Sequence, residues 1–143
     1  DAVARAVSIP VIGNGDLACG EDVRKRKAET AVSGVMIGRA AMQNPWVFRQ
    51  AKHFLETGEN LPPVPLEERW ELVLRHCRVA VESQRYGNEK QTLTAMRSRL
   101  MSYCKGFPGA KELRQRICQV SSVTEIEDLA VFSMSQLELS SVG

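Results

Sequence analysis

Two short stretches decide the fold: Ile9-Pro10-Val11-Ile12-Gly13-Asn14-Gly15-Asp16 and Gly34-Val35-Met36-Ile37-Gly38-Arg39. Each is an apolar, partly β-branched run that ends in glycine and polar residues, a pattern typical of a buried strand in a parallel sheet. About one helix's worth of sequence separates them, so the pair predicts a strand–helix–strand unit. Ligands of such units bind beyond the carboxyl ends of the strands. The candidate site therefore lies at the two strand tips.

The strand tips carry the residue types that a phosphate site needs. Glycine lets the backbone approach the phosphate oxygens, and amide groups at loops and helix starts donate hydrogen bonds. Arg39 adds a charged donor in fork geometry, and Ala40–Met42 predicts a short extra helix, as found at phosphate sites of (β/α)₈ barrels. Taken singly, each tip is only a tight turn. Two tips one β/α unit apart favour a phosphate site.

The composition is that of a globular protein and excludes several function classes. The 143 residues are 43% hydrophobic and 25% charged, enough for one domain or two small ones. No apolar run approaches the roughly 20 residues of a membrane span, and Asp1–Arg5 lacks a signal-peptide pattern, which favours a cytoplasmic location. The four cysteines form no CxxC pair, so we expect reduced thiols packed as small hydrophobes. His53 and His76 lack metal-like partners, and no metal site is predicted.

A proline-rich connector divides the chain. Residues 61–65 contain three prolines and predict a linker between an α/β segment, residues 1–60, and an all-helical segment, residues 66–143. In the second segment, apolar residues recur at helical spacing, which predicts a small helical bundle. Its last helix is predicted to begin at Thr124 with a Thr-x-x-Glu capping box to Glu127. The chain as a whole is predicted to be mostly helical.

Charge is distributed unevenly along the helical segment. Between Glu89 and Gln119 there are seven Lys or Arg and two acids, a net charge of +5, whereas the residues from Val120 onward carry four acids and no base. The basic block favours an anionic partner, and the acidic tail argues against general nucleic-acid binding. The run Arg24-Lys25-Arg26-Lys27 is interpreted as a solvated helix face.

The chain resembles the tRNA-dihydrouridine synthase family. Besides the two strand-tip stretches, Asn44-Pro45-Trp46, Met96-Arg97-Ser98-Arg99 and Tyr103–Arg114 resemble family signatures in the right order and spacing. The resemblance covers nearly the whole chain. Ser98 departs from it, because many members carry a basic residue at that position.

The resemblance implies a fold and an activity. It implies the C-terminal part of an FMN-bearing TIM (β/α)₈ barrel, namely its last two β/α units, followed by a helical tRNA-binding domain. The family reduces uridines of tRNA to dihydrouridine with NADPH through FMN. By resemblance, the FMN phosphate is held by Asn14, Gly15, Asp16, Gly38 and Arg39. The candidate contacts to the tRNA backbone, which give affinity without reading sequence, are Arg97, Arg99, Lys105, Lys111 and Arg114.

The resemblance also implies what this sequence lacks. The family's catalytic cysteine lies in a loop before the sequence begins, so we assign no catalytic residue. Two barrel strands leave open edges and bare apolar faces, which the remainder of the barrel is expected to cover. We therefore expect the 143 residues alone to bind FMN weakly or not at all and to be inactive.

Two other functions remain open from the sequence. One is another FMN barrel acting on a small molecule, such as a relative of dihydroorotate dehydrogenase, against which the basic helical segment argues. The other is a stand-alone helical RNA-binding module. Binding of tRNA separates the first alternative from the family reading.

Overall fold

Two parallel strands occupy the positions that the decisive stretches predict. In the computed structural model, which describes the backbone of residues 1–140 and the side chains of residues 1–136, β1 (Ile12–Asn14) pairs with β2 (Gly34–Met36). Helix α2 (Gly20–Glu29) connects them, which confirms the strand–helix–strand unit. The first strand begins later than the apolar run does. The first backbone hydrogen bond between the two segments runs from the Ser33 amide to the Val11 carbonyl, at 2.9 Å.

The chain divides into two compact units, Asp1–Pro63 and Val64–Gly143. The first contains the two strands and four helices: α1 (Ala2–Ala6), α2, α3 (Arg39–Gln43) and α4 (Val47–Thr57). The second is all helical within the described residues: α5 (Leu66–Glu82), α6 (Glu89–Tyr103), α7 (Ala110–Ile117) and α8 (Val123–Ser140). The chain is thus mostly helical, as predicted. None of the described helices combines the length and apolar composition that crossing a bilayer requires.

The first unit is held together by the packing of α2 on α4. A small core of Leu17, Val23 and Ala51 lies beside the strands. Gly20 opens α2 directly against Phe54 of α4, and an added Cβ would lie 2.5 Å from the Phe54 Cβ. Two helices can approach this closely only where one of them presents no side chain. No pattern in the sequence indicated this role of Gly20.

The sequence predicts α4 from about Trp46 to Thr57, ending at Gly58. The helix begins at Val47, after an N-cap at Trp46. Its end at Gly58 is confirmed, because the φ of Gly58 is 79°, in the left-handed region, and its amide donates to the Phe54 carbonyl. Glycine adopts this conformation without the steric cost of a Cβ.

The second unit is built around a larger core. Most residues predicted to face inward from α5, α6 and α7 are buried, among them Trp70, Leu93 and Ile117. Leu74 and Val81, predicted in the same set, are half-buried. The Trp70 and Phe107 rings meet edge to face, with centroids 5.2 Å apart. Helical periodicity therefore identified the buried face of each of these helices.

The predicted capping box of the last helix is wrong. Helix α8 begins at Val123, and the Ser122 hydroxyl accepts a hydrogen bond from the Glu125 amide. The Glu125 carboxylate in turn accepts one from the Ser121 amide at 2.8 Å. Ser122 and Glu125 have the same spacing two residues earlier, and the helix begins after Ser122 instead. Ile126 and Leu129 are buried as predicted, and the Leu137 side chain lies outside the described residues.

The four cysteines are free thiols. Cys77 and Cys104 are buried, as expected for cysteines that pack as small hydrophobes, and Cys19 is half-buried. Cys118 is exposed, so the expectation is wrong there.

The sheet has uncovered apolar faces, as predicted. Ile9, Ile12 and Met36 are 70%, 61% and 51% exposed. Large apolar side chains on a two-stranded sheet leave surface that only further strands or helices can bury.

Candidate functional site

All five residues predicted at the strand tips line one cleft. The cleft has a volume of about 540 Å³, and its walls are formed by Asn14, Gly15, Asp16, Leu17, Ala18, Met36, Gly38, Arg39, Ala40 and Gln43. We call it the strand-tip cleft. It forms because parallel strands end at the same edge of the sheet, so residues more than 20 positions apart in sequence become neighbours.

Two glycines shape the backbone of the strand-tip cleft. Gly15 has a φ of 148°, a conformation open to glycine and strained for other residues. At Gly38, an added Cβ would meet no atom within 4 Å. Gly38 therefore leaves room for a ligand to reach the backbone, whereas the space beside Gly15 holds the Arg26 guanidinium.

One ion pair crosses the strand-tip cleft. The Arg39 guanidinium donates a hydrogen bond to the Asp16 carboxylate, and both side chains are more than 80% exposed. A pair this exposed contributes little to folding stability. Its effect is to orient the guanidinium, whose remaining donors can still bind an anion.

The two helix starts next to the cleft differ. At α3, Gly38 is the N-cap and no side chain caps the helix, while the Ala41 amide donates to the Gly38 carbonyl at 3.0 Å. At α2, the Asp22 carboxylate accepts hydrogen bonds from the Ala18 amide at 2.9 Å and the Cys19 amide at 3.3 Å. These bonds lower the pKa of Asp22. Asp22 thus occupies two amides of the segment that precedes α2.

The run Arg24–Lys27 was predicted to form a solvated helix face, and Arg26 does not fit this prediction. Lys25 and Lys27 are exposed, but Arg26 is half-buried. Its guanidinium lies beside Gly15, where an added Cβ would be 3.3 Å from Nη2. It also lines a second, smaller cleft of about 220 Å³ that includes Gly15 and Asp16. The contact joins residues 11 positions apart, and no pattern in the sequence indicated it.

The five predicted RNA-binding residues lie on α6, on α7 and in the connection between them. Arg99, Lys105, Lys111 and Arg114 are exposed. Arg97 is half-buried, and its guanidinium donates to the Val120 carbonyl at 3.4 Å. Arg97 thus links α6 to the segment that precedes α8.

Two of these arginines affect the pKa values of groups in the helical unit. Burial raises the pKa of the Cys104 thiol to about 11, and the positive charges of Arg114 and Arg69 oppose that rise. Burial lowers the pKa of His76, and the positive charge of Arg99 lowers it further.

His76 is half-buried in the helical unit. Its Nδ1 is 3.1 Å from the Tyr103 hydroxyl. Among the described side chains, residues 1–136, no three His, Cys, Asp or Glu come close enough together to hold a metal ion.

Comparison with known proteins gives one consistent answer. The family model described as dihydrouridine synthase (Dus) matches residues 1–137. The chain is 40% identical to tRNA-dihydrouridine synthase B of Pseudomonas aeruginosa over 113 residues, which are 79% of this chain and 33% of that protein. It is 41% identical to the Pseudomonas putida protein of the same name, over 80% of this chain and 33% of the relative. A probable tRNA-dihydrouridine synthase of Rickettsia bellii is 31% identical over 90% of this chain and 39% of its own length. The chain thus spans about a third of the length of the curated relatives it matches.

Proposed function

The chain belongs to the dihydrouridine synthase family, and from this premise we propose that it forms the FMN-phosphate end of the TIM barrel and the helical tRNA-binding domain of a flavin-dependent tRNA-dihydrouridine synthase. The observation that carries the proposal is the strand-tip cleft, where Asn14, Gly15, Asp16, Gly38 and Arg39 meet. The chemistry that FMN supplies in this family is hydride transfer from NADPH to a uridine base of tRNA.

The residues of the cleft fit a phosphate group. Gly38 leaves the backbone open, no side chain caps the start of α3, and Arg39 presents an exposed guanidinium. A dianionic phosphate takes hydrogen bonds from these donors and charge compensation from Arg39. The Asp16 carboxylate cannot donate to a phosphate. Its proposed role is to hold the Arg39 fork in place.

This chain's own residues are proposed to hold the cofactor and not to catalyse. The four cysteines all lie within the described residues, and none lines the strand-tip cleft. Burial raises the pKa of both Cys77 and Cys104 to about 11, which makes these thiols poor proton donors near neutral pH. We assign no catalytic residue within the chain.

The helical unit is proposed to bind the tRNA backbone. Arg99, Lys105, Lys111 and Arg114 are exposed on a segment of net charge +5, and cations of this kind bind phosphates without reading base sequence. Arg97 is the exception among the five candidates. Its bond to Val120 gives it a role in packing α6.

The uncovered sheet faces suit an incomplete barrel. Ile9, Ile12 and Met36 are exposed around β1 and β2, where strands of a closed barrel would bury them. We propose that the remainder of the barrel covers this surface.

The test is Arg39→Ala in the complete enzyme, with Lys27→Ala as the matched control. A hydrogen bond to a charged group contributes about 1.5–3 kcal/mol, so the Arg39 variant is expected to bind FMN roughly 10- to 100-fold more weakly. The control removes one positive charge from the same unit and is expected to keep its flavin. The measurement is bound flavin per protein after gel filtration, together with fluorescence titration of the apoprotein. Unchanged FMN affinity in the Arg39 variant contradicts the cofactor assignment.

A second measurement separates the enzyme from an FMN barrel that acts on a small molecule. The complete enzyme is expected to bind an unmodified tRNA transcript with a strong salt dependence. An enzyme that retains FMN but has no affinity for tRNA would contradict the tRNA part of the proposal.

A further inference from the structure

One arginine of α5 binds the backbone of the connection between α6 and α7. Arg69, on the first turn of α5, donates to the Lys105 carbonyl at 2.6 Å and to the Tyr103 carbonyl at 3.2 Å through Nη2. Its Nη1 reaches the Gly106 carbonyl at 3.3 Å. The guanidinium also lies over the Phe107 ring, 4.1 Å from its centroid. We propose that Arg69 is a positioning residue for RNA binding: it holds residues 104–109 in the shape that presents Lys105 and Lys111 to RNA phosphates. This inference rests on the proposed function.

Arg69 occupies carbonyl groups at and just beyond the end of α6. The last carbonyls of a helix lack intrahelical partners and carry the negative end of its dipole. Here the Ser102 carbonyl accepts from the Lys105 amide and the Cys104 carbonyl accepts from the Phe107 amide. Arg69 binds those of Tyr103, Lys105 and Gly106. A helix end whose carbonyls are bound to a cation repels an approaching phosphate less than an open one.

The backbone of the connection between α6 and α7 adopts a conformation that requires glycine at two positions. Gly106 and Gly109 have φ values of 78° and 63°, in the left-handed region that favours glycine. Phe107 is buried, and its ring packs on both Trp70 and Arg69. Gly109 then serves as the N-cap of α7, which carries Lys111. The direction in which Lys105 and α7 point therefore depends on the Arg69 contacts.

Arg69 has few donors left with which to bind RNA itself. Three of its five N–H groups donate to carbonyls, and its flat face covers Phe107. Only the remaining donors of this half-buried side chain are left for a phosphate. Its effect on RNA affinity is therefore expected to pass through the loop rather than through its charge.

The experiment compares Arg69→Ala, Arg69→Lys and Gly106→Ala with Arg75→Ala in the full chain. Arg69→Lys keeps the charge, but a lysine cannot bridge three carbonyls in fork geometry. Gly106→Ala strains the loop without changing any charge, because alanine rarely adopts the φ of 78° found at Gly106. The new Cβ would not displace Arg69, since it would lie an ordinary 3.8 Å from Nη1. Arg75 is exposed on the same helix and controls for the loss of one positive charge. The two readouts are amide hydrogen exchange over residues 104–110 and affinity for an unmodified tRNA transcript between 50 and 200 mM salt, a range chosen because phosphate contacts respond strongly there.

We expect both Arg69 variants and Gly106→Ala to exchange faster over residues 104–110. All three should bind tRNA about tenfold more weakly, with a flatter salt dependence because about one or two phosphate contacts are lost. Arg75→Ala should exchange like the wild type and lose less affinity. Gly106→Ala also keeps the test valid if an Arg69 variant fails to fold.

Other results overturn the inference. If Arg69→Lys binds tRNA like the wild type while Arg69→Ala does not, the charge of Arg69 acts directly. If exchange accelerates but affinity matches that of Arg75→Ala, the order of the loop is irrelevant to RNA binding, and the proposed function stands without Arg69. If the wild-type chain binds no tRNA, both this inference and the tRNA part of the proposed function fail.

Discussion

At the scale of single residues, we propose that the Arg39–Asp16 pair sets the affinity of the strand-tip cleft for a phosphate. An acid beside a phosphate site repels the ligand, yet the same acid orients the arginine that attracts it. Because Asp16 can act on a phosphate favourably only through Arg39, the two residues should be energetically coupled. Residues in one charge network commonly depart from additivity by 0.5–3 kcal/mol.

We therefore predict that Asp16→Asn weakens FMN binding by at most about fivefold, since exposed ion pairs contribute about 1 kcal/mol or less. Asparagine tolerates the positive φ of Asp16, which is 22°, so the loop is expected to keep its shape. The double variant with Arg39→Ala should bind no more weakly than Arg39→Ala alone. Fluorescence titration of the four apoproteins measures this coupling.

Glu29→Ala is the matched control for Asp16→Asn. Glu29 lines the neighbouring smaller cleft, and its removal also deletes one negative charge. It should leave the effect of Arg39→Ala unchanged. Fully additive losses from Asp16→Asn and Arg39→Ala would instead indicate that Asp16 contacts the ligand independently.

At the scale of elements, the contact of α2 with α4 depends on one missing side chain. Gly20 faces Phe54 so closely that a Cβ would lie 2.5, 2.7 and 2.8 Å from the Phe54 Cβ, Cγ and Cδ1 atoms. The Cβ and Cγ atoms cannot move aside as the end of a flexible chain can. Alanine is the better helix former by about 1 kcal/mol in a helix interior, but the gain is smaller at a helix start, and overpacking costs typically 1–3 kcal/mol. The steric term should therefore dominate.

We predict that Gly20→Ala lowers the free energy of unfolding of the first unit by about 1–2 kcal/mol, a shift of roughly 4–15 °C in Tm for a domain of this size. Gly38→Ala is the counterpart, because its Cβ meets open space. It should leave Tm nearly unchanged and instead reduce FMN retention. Thermal denaturation and flavin content, measured on both variants, check the pair. Equal stability of the two variants would show that α2 and α4 separate at little cost.

Helical periodicity and strand patterning were enough to predict the existence and type of nearly every element. The α5, α6 and α7 core residues were identified because their 3.6-residue spacing leaves one consistent apolar face. Boundaries were less predictable, since they depend on competing local hydrogen bonds. Ser122 competes with Thr124 for the start of α8, and its hydroxyl accepts the hydrogen bond from the Glu125 amide.

At the scale of the whole molecule, the two units have separate cores, and the buried thiols belong to only one of them. Cys77 and Cys104 lie in the large core of the helical unit. Burial raises the pKa of each from 9.0 to about 11. Between these values an unfolded thiol has lost its proton while the folded one keeps it. The unfolded state then binds fewer protons, so the free energy of unfolding falls as pH rises.

We predict that the helical unit loses stability between pH 9 and 11 and that Cys77→Ala/Cys104→Ala flattens this dependence. Burial also raises the pKa of Tyr103, so part of the slope should remain. Cys118→Ala is the control, because Cys118 is exposed and its removal should leave the slope intact. Thermal denaturation at pH 8.5, 10 and 11 measures these slopes. An unaltered slope in the double variant would show that the two thiols ionise without unfolding the core.

The sequence by itself determined the strand–helix–strand unit, the helical second unit and the five residues of the strand-tip cleft. It could do so because these features follow from short-range periodicity and from the rule that parallel strands end at one edge. Only the tertiary structure decided that Arg26 lies against Gly15, that Gly20 meets Phe54, that Arg97 binds Val120 and that Arg69 holds the α6–α7 connection. Each of these contacts joins residues 11 to 37 positions apart through a side chain whose direction depends on packing. Local sequence fixes which residues a helix turns inward, whereas the partner that a long side chain reaches is fixed only when the elements have come together.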